Sequence, residues 1–549
     1  MVARVGANGA PSRRVWLPGV GDNGRRSRGA PPDRRPRTWK PSVSRTAPTP
    51  APARPHDPAE PTVRTALRSP RLLRTEVLAG LVTAFALIPE AISFSILAGV
   101  DPQVGLFASF TMAVSIAFLG GRPAMVSAAA GAVALVLAPL VDSHGTDYLI
   151  AAVVLGGLIQ VVLGVVGVAR LMRFIPRQVM VGFVNSLAVL IFMAQVPHLI
   201  DVPWMVYPLV ALGILVIVGL PRLTTAVPSP LVAIALLTAL ALAGGLHLPD
   251  VGDEGDLPDG LPSLLVPDVP WTLETLQVIA PYALAMALVG LLESLLTAKL
   301  VDDITDTRSD KTREAWGQGA ANVVTGFFGG IGGCAMIGQT MVNVKVAGAR
   351  TRISTFLAGV FVLVLTVGLG DLVGQIPMAA LVAVMIMVSV TTFDWHSIAP
   401  ATLRRMPRSE TAVMLATAVV VVWTHNLAIG VVAGTLVAMT LFARRVAHFT
   451  DVRRRVVADE AGERAVYTVT GELFFASSND LYTQFEYAAD PERVVIDLRG
   501  THVWDASTVA SLDAITAKYA RKGKAVEIIG LDEVSAERHA RLTGSLAQH

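Results

Sequence analysis

The sequence predicts an all-α polytopic membrane protein of about 14 spans, built as two inverted halves of seven and followed by a small cytoplasmic α/β domain. Three observations carry this prediction. Of 549 residues, 53% are hydrophobic and only 16% charged, with a mean hydropathy of +0.57, which is too apolar for a soluble chain. Apolar runs recur between short loops whose Lys and Arg content alternates from one loop to the next. Finally, corresponding runs in the two halves carry similar residues.

The chain begins with residues 1–74, rich in Pro, Arg, Ala, Gly and Ser and without an apolar run; such a segment cannot offset its ordering entropy, so a disordered basic arm is expected. Residues 1–75 hold 16 of the 45 Lys and Arg but 4 of the 42 Asp and Glu, so the net +3 conceals a local +12 and a remainder of −9. Clusters such as Arg25, Arg26 and Arg28 suit anionic lipid headgroups. Without interleaved aromatics or a folded frame they imply no specific nucleic acid. The single Cys334 excludes a disulfide framework or a Cys-based zinc site, and the 10 His show no ligand spacing. No cofactor, metal or enzymatic chemistry is therefore expected.

The membrane region is read as residues 75–445. Its apolar runs lie at roughly 78–98, 104–119, 123–140, 148–168, 179–196, 204–220, 229–246, 274–299, 317–331, 335–347, 353–371, 376–392, 410–424 and 427–443. The third and tenth are short and rich in small residues, the mark of half-helices. The even loops carry Arg122, Arg170, Arg173, Arg177, Arg222, Lys299, Arg308, Lys345, Arg350, Arg404 and Arg405, whereas the odd loops carry no Lys or Arg. This alternation puts both termini in the cytoplasm and the protein in the cytoplasmic membrane.

Glu90 in the first run matches Glu293 in the eighth, and Gly120-Gly121 with Ala124-Met125 matches Gly332-Gly333 with Ala335-Met336. Because seven is odd, the repeat is inverted, bringing two half-helix N-termini together where free N–H groups attract an anion. Ser127, Ala128, Ala129 and Gly131, with Ala335, Met336 and Gly338, let a small anion approach the backbone; Gln339, Thr340 and Ser127 offer side-chain hydrogen bonds. The same small residues also permit close helix packing. Glu90 and Glu293 are the two acids placed well inside the runs, where a carboxylate is protonated, paired with a neighbouring helix or bound to a cation. Glu293 and Thr297 stand four apart on one helix face and suit Na⁺ binding or proton carriage.

At these residues the sequence resembles the sulfate permease family, the SulP proteins, which include solute carrier family 26. The resemblance rests on Ala-Leu-Ile-Pro-Glu-Ala-Ile-Ser-Phe at 86–94, Gly-Leu-Leu-Glu-Ser-Leu-Leu-Thr at 290–297 and Gly-Gln-Gly-Ala-Ala-Asn-Val-Val-Thr-Gly-Phe-Phe-Gly-Gly at 317–330. It implies the seven-plus-seven fold shared with uracil permeases, a core and a gate domain, a homodimer and an elevator-like motion. It also implies an anion site lined by Glu90 and Phe94, by Ser127 to Gly131 and by Ala335 to Thr340. The sodium-dependent bicarbonate transporters of this family have Asp where Glu293 stands, a matching Thr297, and Gly-Ala-Thr where this chain reads Ala335-Met336-Ile337. These departures favour proton coupling or exchange over sodium.

Residues 446–549 turn soluble, with strand-like runs at 465–469, 473–475, 493–499 and 525–530 and helix-like stretches at 478–488 and 506–521. This end resembles the STAS domain. Ser507, in Asp505-Ala506-Ser507-Thr508, falls where antagonist relatives carry a phosphorylated Ser, while Asp505 or Ser507 equally suits a helix cap. The expected function is secondary transport of a small inorganic anion, bicarbonate or sulfate first, by alternating access, with H⁺ or Na⁺ coupling. A chloride exchanger or channel, a dicarboxylate carrier of the same fold, and a membrane-tethered regulator whose STAS domain binds a cytosolic partner are the alternatives.

Overall fold

The computed structural model describes residues 61–543 except 171–174, 225–227, 448–449, 460–461, 476 and 478–480. The basic arm, expected to stay unfolded to residue 74, is helical from residue 63. Helix α1 (Val63–Arg68) opens on a Thr62 hydroxyl that accepts from Thr65 N at 3.2 Å, and α2 (Pro70–Leu97) begins on a proline, which suits a first helical turn. Residues 1–60 of that arm lie outside the described residues.

After α2 come α3 (Pro102–Leu119), β1 (Ser127–Ala129), α4 (Gly131–His144), α5 (Thr146–Val166), α6 (Arg177–Gln195), α7 (Val206–Gly219) and α8 (Ser229–Ala243). The second half holds α9 (Leu273–Thr305), α10 (Lys311–Phe327), β2 (Gly333–Ala335), α11 (Ile337–Met341), α12 (Arg352–Gly368), α13 (Gly370–Gly374), α14 (Met378–Thr392), α15 (Trp395–Ile398), α16 (Pro400–Arg405), α17 (Arg408–Thr424) and α18 (Leu427–Ala447). Each predicted apolar run overlaps at least one of these helices, the third and tenth only beyond an initial strand. Among the described residues, six helices are long and apolar enough to cross a membrane by length and composition: α2, α3, α5, α6, α9 and α18.

The region is not all-helical. The third and tenth runs begin as strands, β1 and β2, paired antiparallel with Ser127 opposite Ala335, Ala128 opposite Cys334 and Ala129 opposite Gly333. Close backbone approach requires the small residues: a Cβ on Gly333 would lie 2.2 Å from the Ala128 carbonyl oxygen. The repeat register also differs from the sequence match. The strand centres Ala128 and Cys334 are separated by the same interval as the helix starts Gly131 and Ile337, so these are the structurally equivalent pairs, and Ala124-Met125 does not correspond to Ala335-Met336.

Two bundles result. In one, α5 packs on α9 and α10, α12 lies on α2 and α3, and α10 on α3. Contact between α5 and α10 is backbone-close because Gly157 faces Gly319, where an added Cβ would sit 2.7 Å from the Gly319 carbonyl oxygen. The other bundle joins α6, α7, α8, α14, α17 and α18, and the two meet where α14 touches α2, α6 touches α4 and α18 touches α9.

The C-terminal α/β domain contains β3 (Asp451–Asp459), β4 (Gly462–Leu473), β5 (Arg493–Val503), α19 (Ala506–Ala520), β6 (Ala525–Ile529) and α20 (Glu533–Leu542). Its sheet order is β3-β4-β5-β6; the β3–β4 pair is antiparallel and the other two are parallel. Three expectations need correction. Strand β3 and helix α20 are additional, because their mixed charge hides the apolar side. Of the predicted strand at 473–475 only Leu473 is strand, as the last residue of β4, which reaches it through a register shift between Thr468 and Thr470. Of the predicted helix at 478–488, residues 478–480 lie outside the described residues and Tyr482–Gln484 form only a 3-10 turn. Beyond that turn the backbone is held by side chains instead: Glu486 N donates to the Tyr467 hydroxyl at 2.9 Å, and Tyr467 donates to the buried Asp490 carboxylate at 2.7 Å. Tyr519 and Arg454 also bond Asp490, and burial with this carboxylate pushes the Tyr467 hydroxyl above its usual pKa.

Candidate functional site

The crossing of β1 and β2 is clamped by α10. Asn322 accepts from Gly333 N at 2.8 Å and donates to Gly333 O at 3.0 Å and to Gln160 of α5 at 2.8 Å. One turn earlier, Gln318 donates to the Ser127 hydroxyl at 2.5 Å and to Glu314 at 3.0 Å, and Glu314 accepts from Gly121 N and Arg122 N at 2.7 and 3.0 Å. Ser294 on α9 accepts from Ala335 N at 3.1 Å. Three-residue strands with no wider sheet are thus fixed by buried polar side chains: Asn322, Ser294 and Glu314 satisfy backbone groups that would otherwise be costly, and Gln318 joins Ser127 to Glu314.

From this clamp α4 and α11 leave with uncapped first turns: neither Ala130 nor Met336 at the cap position supplies a side-chain acceptor. The five residues of α11 continue without a break into a wider π-helical turn, Val342–Val346. Between these helix starts and the second bundle lies a cavity of about 140 Å³. Glu90 and Phe94 of α2, Gly131 of α4, Glu293 of α9, and Met336, Gly338 and Gln339 line it on one side. Glu90 is half-buried and hydrogen-bonded to Gln339. The buried Phe94 ring packs on Gly131, where an added Cβ would come 2.6 Å from the ring edge, whereas a Cβ on Gly338 would meet nothing within 4 Å.

The other predicted residues sit behind the cavity wall. Ser127, Ala128, Ala129 and Ala335 are buried in the strand crossing. Thr340 accepts from Val126 N at 3.0 Å. Thr297 donates to the carbonyls of Glu293 and Ala335 at 2.9 and 3.1 Å, tying α9 to β2, and Glu293 accepts from the Cys334 thiol at 2.9 Å. Thr297 and Glu293 are therefore neighbours, but the hydroxyl proton is directed to backbone carbonyls. Among the described residues no three His, Cys, Asp or Glu side chains group as a metal site.

The far wall was not foreseen: Phe183, Leu187 and Ile191 of α6 and Val388, Thr391 and Thr392 of α14 close the cavity. Gly338 and Thr391 are exposed, so the mouth lies at the C-terminal end of α14, the end that leads to Arg404 and Arg405. Two further acids inside the helical region were also missed. Glu76 caps α12 by accepting from Arg350 N, Thr351 N and Ser354 N, and Glu314 holds the loop before β1 as described. Arg122, read as a loop charge, is buried and bonds Asp302, Thr305 and Thr307. In the C-terminal domain Asp505 caps α19 by accepting from Thr508 N at 3.0 Å, and Ser507 stands exposed beside it.

Two packed helix bundles, a pair of half-helices springing from crossed strands, and a small polar-lined cavity between the bundles define a multi-pass membrane transporter with an appended α/β domain. The sulfate permease family pattern matches residues 73–206 and 201–417, and the STAS domain pattern matches 455–546. YbaR of Bacillus subtilis (strain 168), provisionally named a sulfate transporter, is 52% identical over 463 residues, covering 84% of this chain and 95% of that one. The bicarbonate transporter BicA of Picosynechococcus sp. (strain ATCC 27264 / PCC 7002 / PR-6) is 22% identical, covering 84% and 89%. In three dimensions the chain is similar to the murine solute carrier 26 family member A9 anion transporter in the inward-facing state, with a TM-score of 0.72 at 15% identity over 85% of this chain and 87% of that one. The chain belongs to the sulfate permease family, a family of transporters.

Proposed function

We propose that the protein carries a small inorganic anion, sulfate or bicarbonate first, across the cytoplasmic membrane by alternating access. The observation that carries this reading is the cavity between the bundles, where Gly338 exposes the start of α11, Gly131 lines the start of α4 beneath the Phe94 ring, and Gln339 adds a donor. Unpaired N–H groups and the positive ends of helix dipoles attract an anion without a cationic side chain. The Phe94 ring forms an apolar wall against which a partly dehydrated oxyanion packs. Ser127, Ala128, Ala129, Ala335 and Thr340 act from behind by fixing the strands from which the helices start.

Glu90 and Glu293 make the same cavity a place for the coupling ion. A proton on either carboxyl removes a negative charge facing the anion, so proton and anion binding reinforce each other. Na⁺ near Glu293 and Thr297 would act with the same sign. Relative motion of the two bundles moves the site between faces, and the mouth beside α14 opens on the side that the basic loops mark as cytoplasmic. Both termini are placed on that side, and the working unit is a homodimer. On the STAS domain, exposed Phe475 and Trp504 flank the Ser507 turn and offer a cytosolic partner a surface that phosphorylation of Ser507 would recharge.

The test is uptake of labelled bicarbonate, sulfate and fumarate into proteoliposomes under separate Na⁺ and H⁺ gradients. Uptake of one inorganic anion supports the reading; failure of all three rejects it.

A further inference from the structure

A second hollow lies on the seam between the bundles and shares no lining residue with the anion cavity. It is a groove of about 390 Å³ whose lining includes Leu288, Leu292 and Leu295 of α9 and Ala428, Val432 and Met439 of α18. Its one hydroxyl, Thr435, is turned back to Val431 O at 2.7 Å, so nothing in the groove seeks a polar partner. Val432 and Met439 are each about half exposed, which is natural only toward hydrocarbon.

Met439 also lines a larger neighbouring hollow of about 620 Å³, whose other lining includes Arg177, Gln178, Ser409, Glu410 and Arg445; Ile175 of the groove and Pro176 of the hollow adjoin in the chain. Gln178 donates to Glu410 at 3.1 Å, and Arg445 donates to the Ser409 hydroxyl. The Arg177 side chain makes no hydrogen bond or ion pair with the described residues. Two guanidinium groups against one carboxylate leave the hollow with one net positive charge. An apolar slot beside a pocket of net charge +1 complements a molecule with a hydrocarbon tail and a single phosphodiester anion.

We infer that an anionic phospholipid occupies this seam, one acyl tail between α9 and α18 and its phosphate between Arg177 and Arg445. The chemistry favours an anionic over a zwitterionic lipid, since a choline group would bring its own positive charge to an already positive hollow. Because α9 belongs to one bundle and α18 to the other, the tail touches both moving parts, and its occupancy sets their relative freedom. That last consequence rests on the carrier reading; the binding itself does not.

The experiment is native mass spectrometry of the purified full chain titrated with phosphatidylglycerol or phosphatidylcholine. The wild type is expected to prefer phosphatidylglycerol. Two basic side chains at a lipid surface are each worth about a factor of five, so R177Q/R445Q lowers that affinity about 30-fold and lowers that of phosphatidylcholine, whose choline offsets its phosphate, much less. R177K/R445K, which keeps the charge, restores most of it, and Val432→Trp, which fills the groove, weakens both lipids. Equal affinity of the wild type for the two lipids, or unchanged phosphatidylglycerol binding in a normally folded R177Q/R445Q protein, overturns the inference. Binding is read without transport, so this failure and failure of the carrier reading are separate results.

Discussion

Replacing Gly338 by alanine adds one methyl group to the open wall of the cavity, where no atom lies within 4 Å. The residue sits in the first turn of α11 without a positive φ, so alanine fits the backbone and restricts the unfolded chain, a gain of about 0.4–1 kcal/mol in stability. An anion held by the N–H groups of that turn must then retreat. Each hydrogen bond to a charged group is worth about 1.5–3 kcal/mol, so losing one raises KM roughly 10- to 100-fold. The assay pairs initial uptake rates in proteoliposomes with a thermal melt of the same preparation. The expected result is a higher KM with an unchanged or higher Tm. An unchanged KM would place the anion elsewhere, and a KM defect accompanied by a falling Tm would make the effect one of folding.

Three further outcomes follow from the same geometry. Glu293→Gln is expected to abolish acceleration of uptake by an H⁺ or Na⁺ gradient while the protein folds normally; unchanged gradient-driven uptake would remove the coupling role. Asn322→Leu leaves the Gly333 N–H and carbonyl without their buried partner, at about 1–3 kcal/mol for each group, so Tm should drop by several degrees with loss of uptake. In the STAS domain, hydrogen bonds from Arg499 hold the Asp497 carboxyl below its usual pKa. A lowered folded-state pKa stabilises above the unfolded value near 4 and is lost as pH falls through the folded value. Arg499 is largely exposed, so solvent screens the pair and the effect on stability is small. Protection of the β5 amides, taken relative to their intrinsic exchange rate at each pH, should therefore fall as the pH drops below about 4 in the wild type and change less in Asp497→Asn.

What the sequence revealed, and what it hid, follows from the range of the interactions. Glu90, Glu293, Gly338 and Gln339 were visible because an acid or a cluster of small residues inside an apolar run is locally anomalous. Phe183, Leu187, Ile191 and Val388 were not, since an apolar side chain on a membrane helix looks the same whether it faces lipid or a cavity. The strands escaped notice because three residues are too few for a period of two to register. Helix α10 was placed too late because Lys311-Thr-Arg-Glu reads as a polar loop. Only the folded chain shows Glu314 satisfied by Gly121 N, Arg122 N and Gln318. Thr340 and Ser127 looked like anion ligands for a related reason: a hydroxyl beside a site is a donor in sequence, and its actual partner, Val126 or Gln318, lies almost two hundred residues or more away.

The central claim, that a small anion sits against the start of α11, is tested most directly by protection of a single exposed thiol. In Gly338→Cys the new side chain faces the cavity mouth, while native Cys334 is buried. With a membrane-impermeant thiol reagent, the transported anion should slow modification saturably, by about tenfold at concentrations ten times the KM of the Gly338→Cys variant itself, and a non-transported anion should not. Equal modification rates with and without the transported anion would contradict the account.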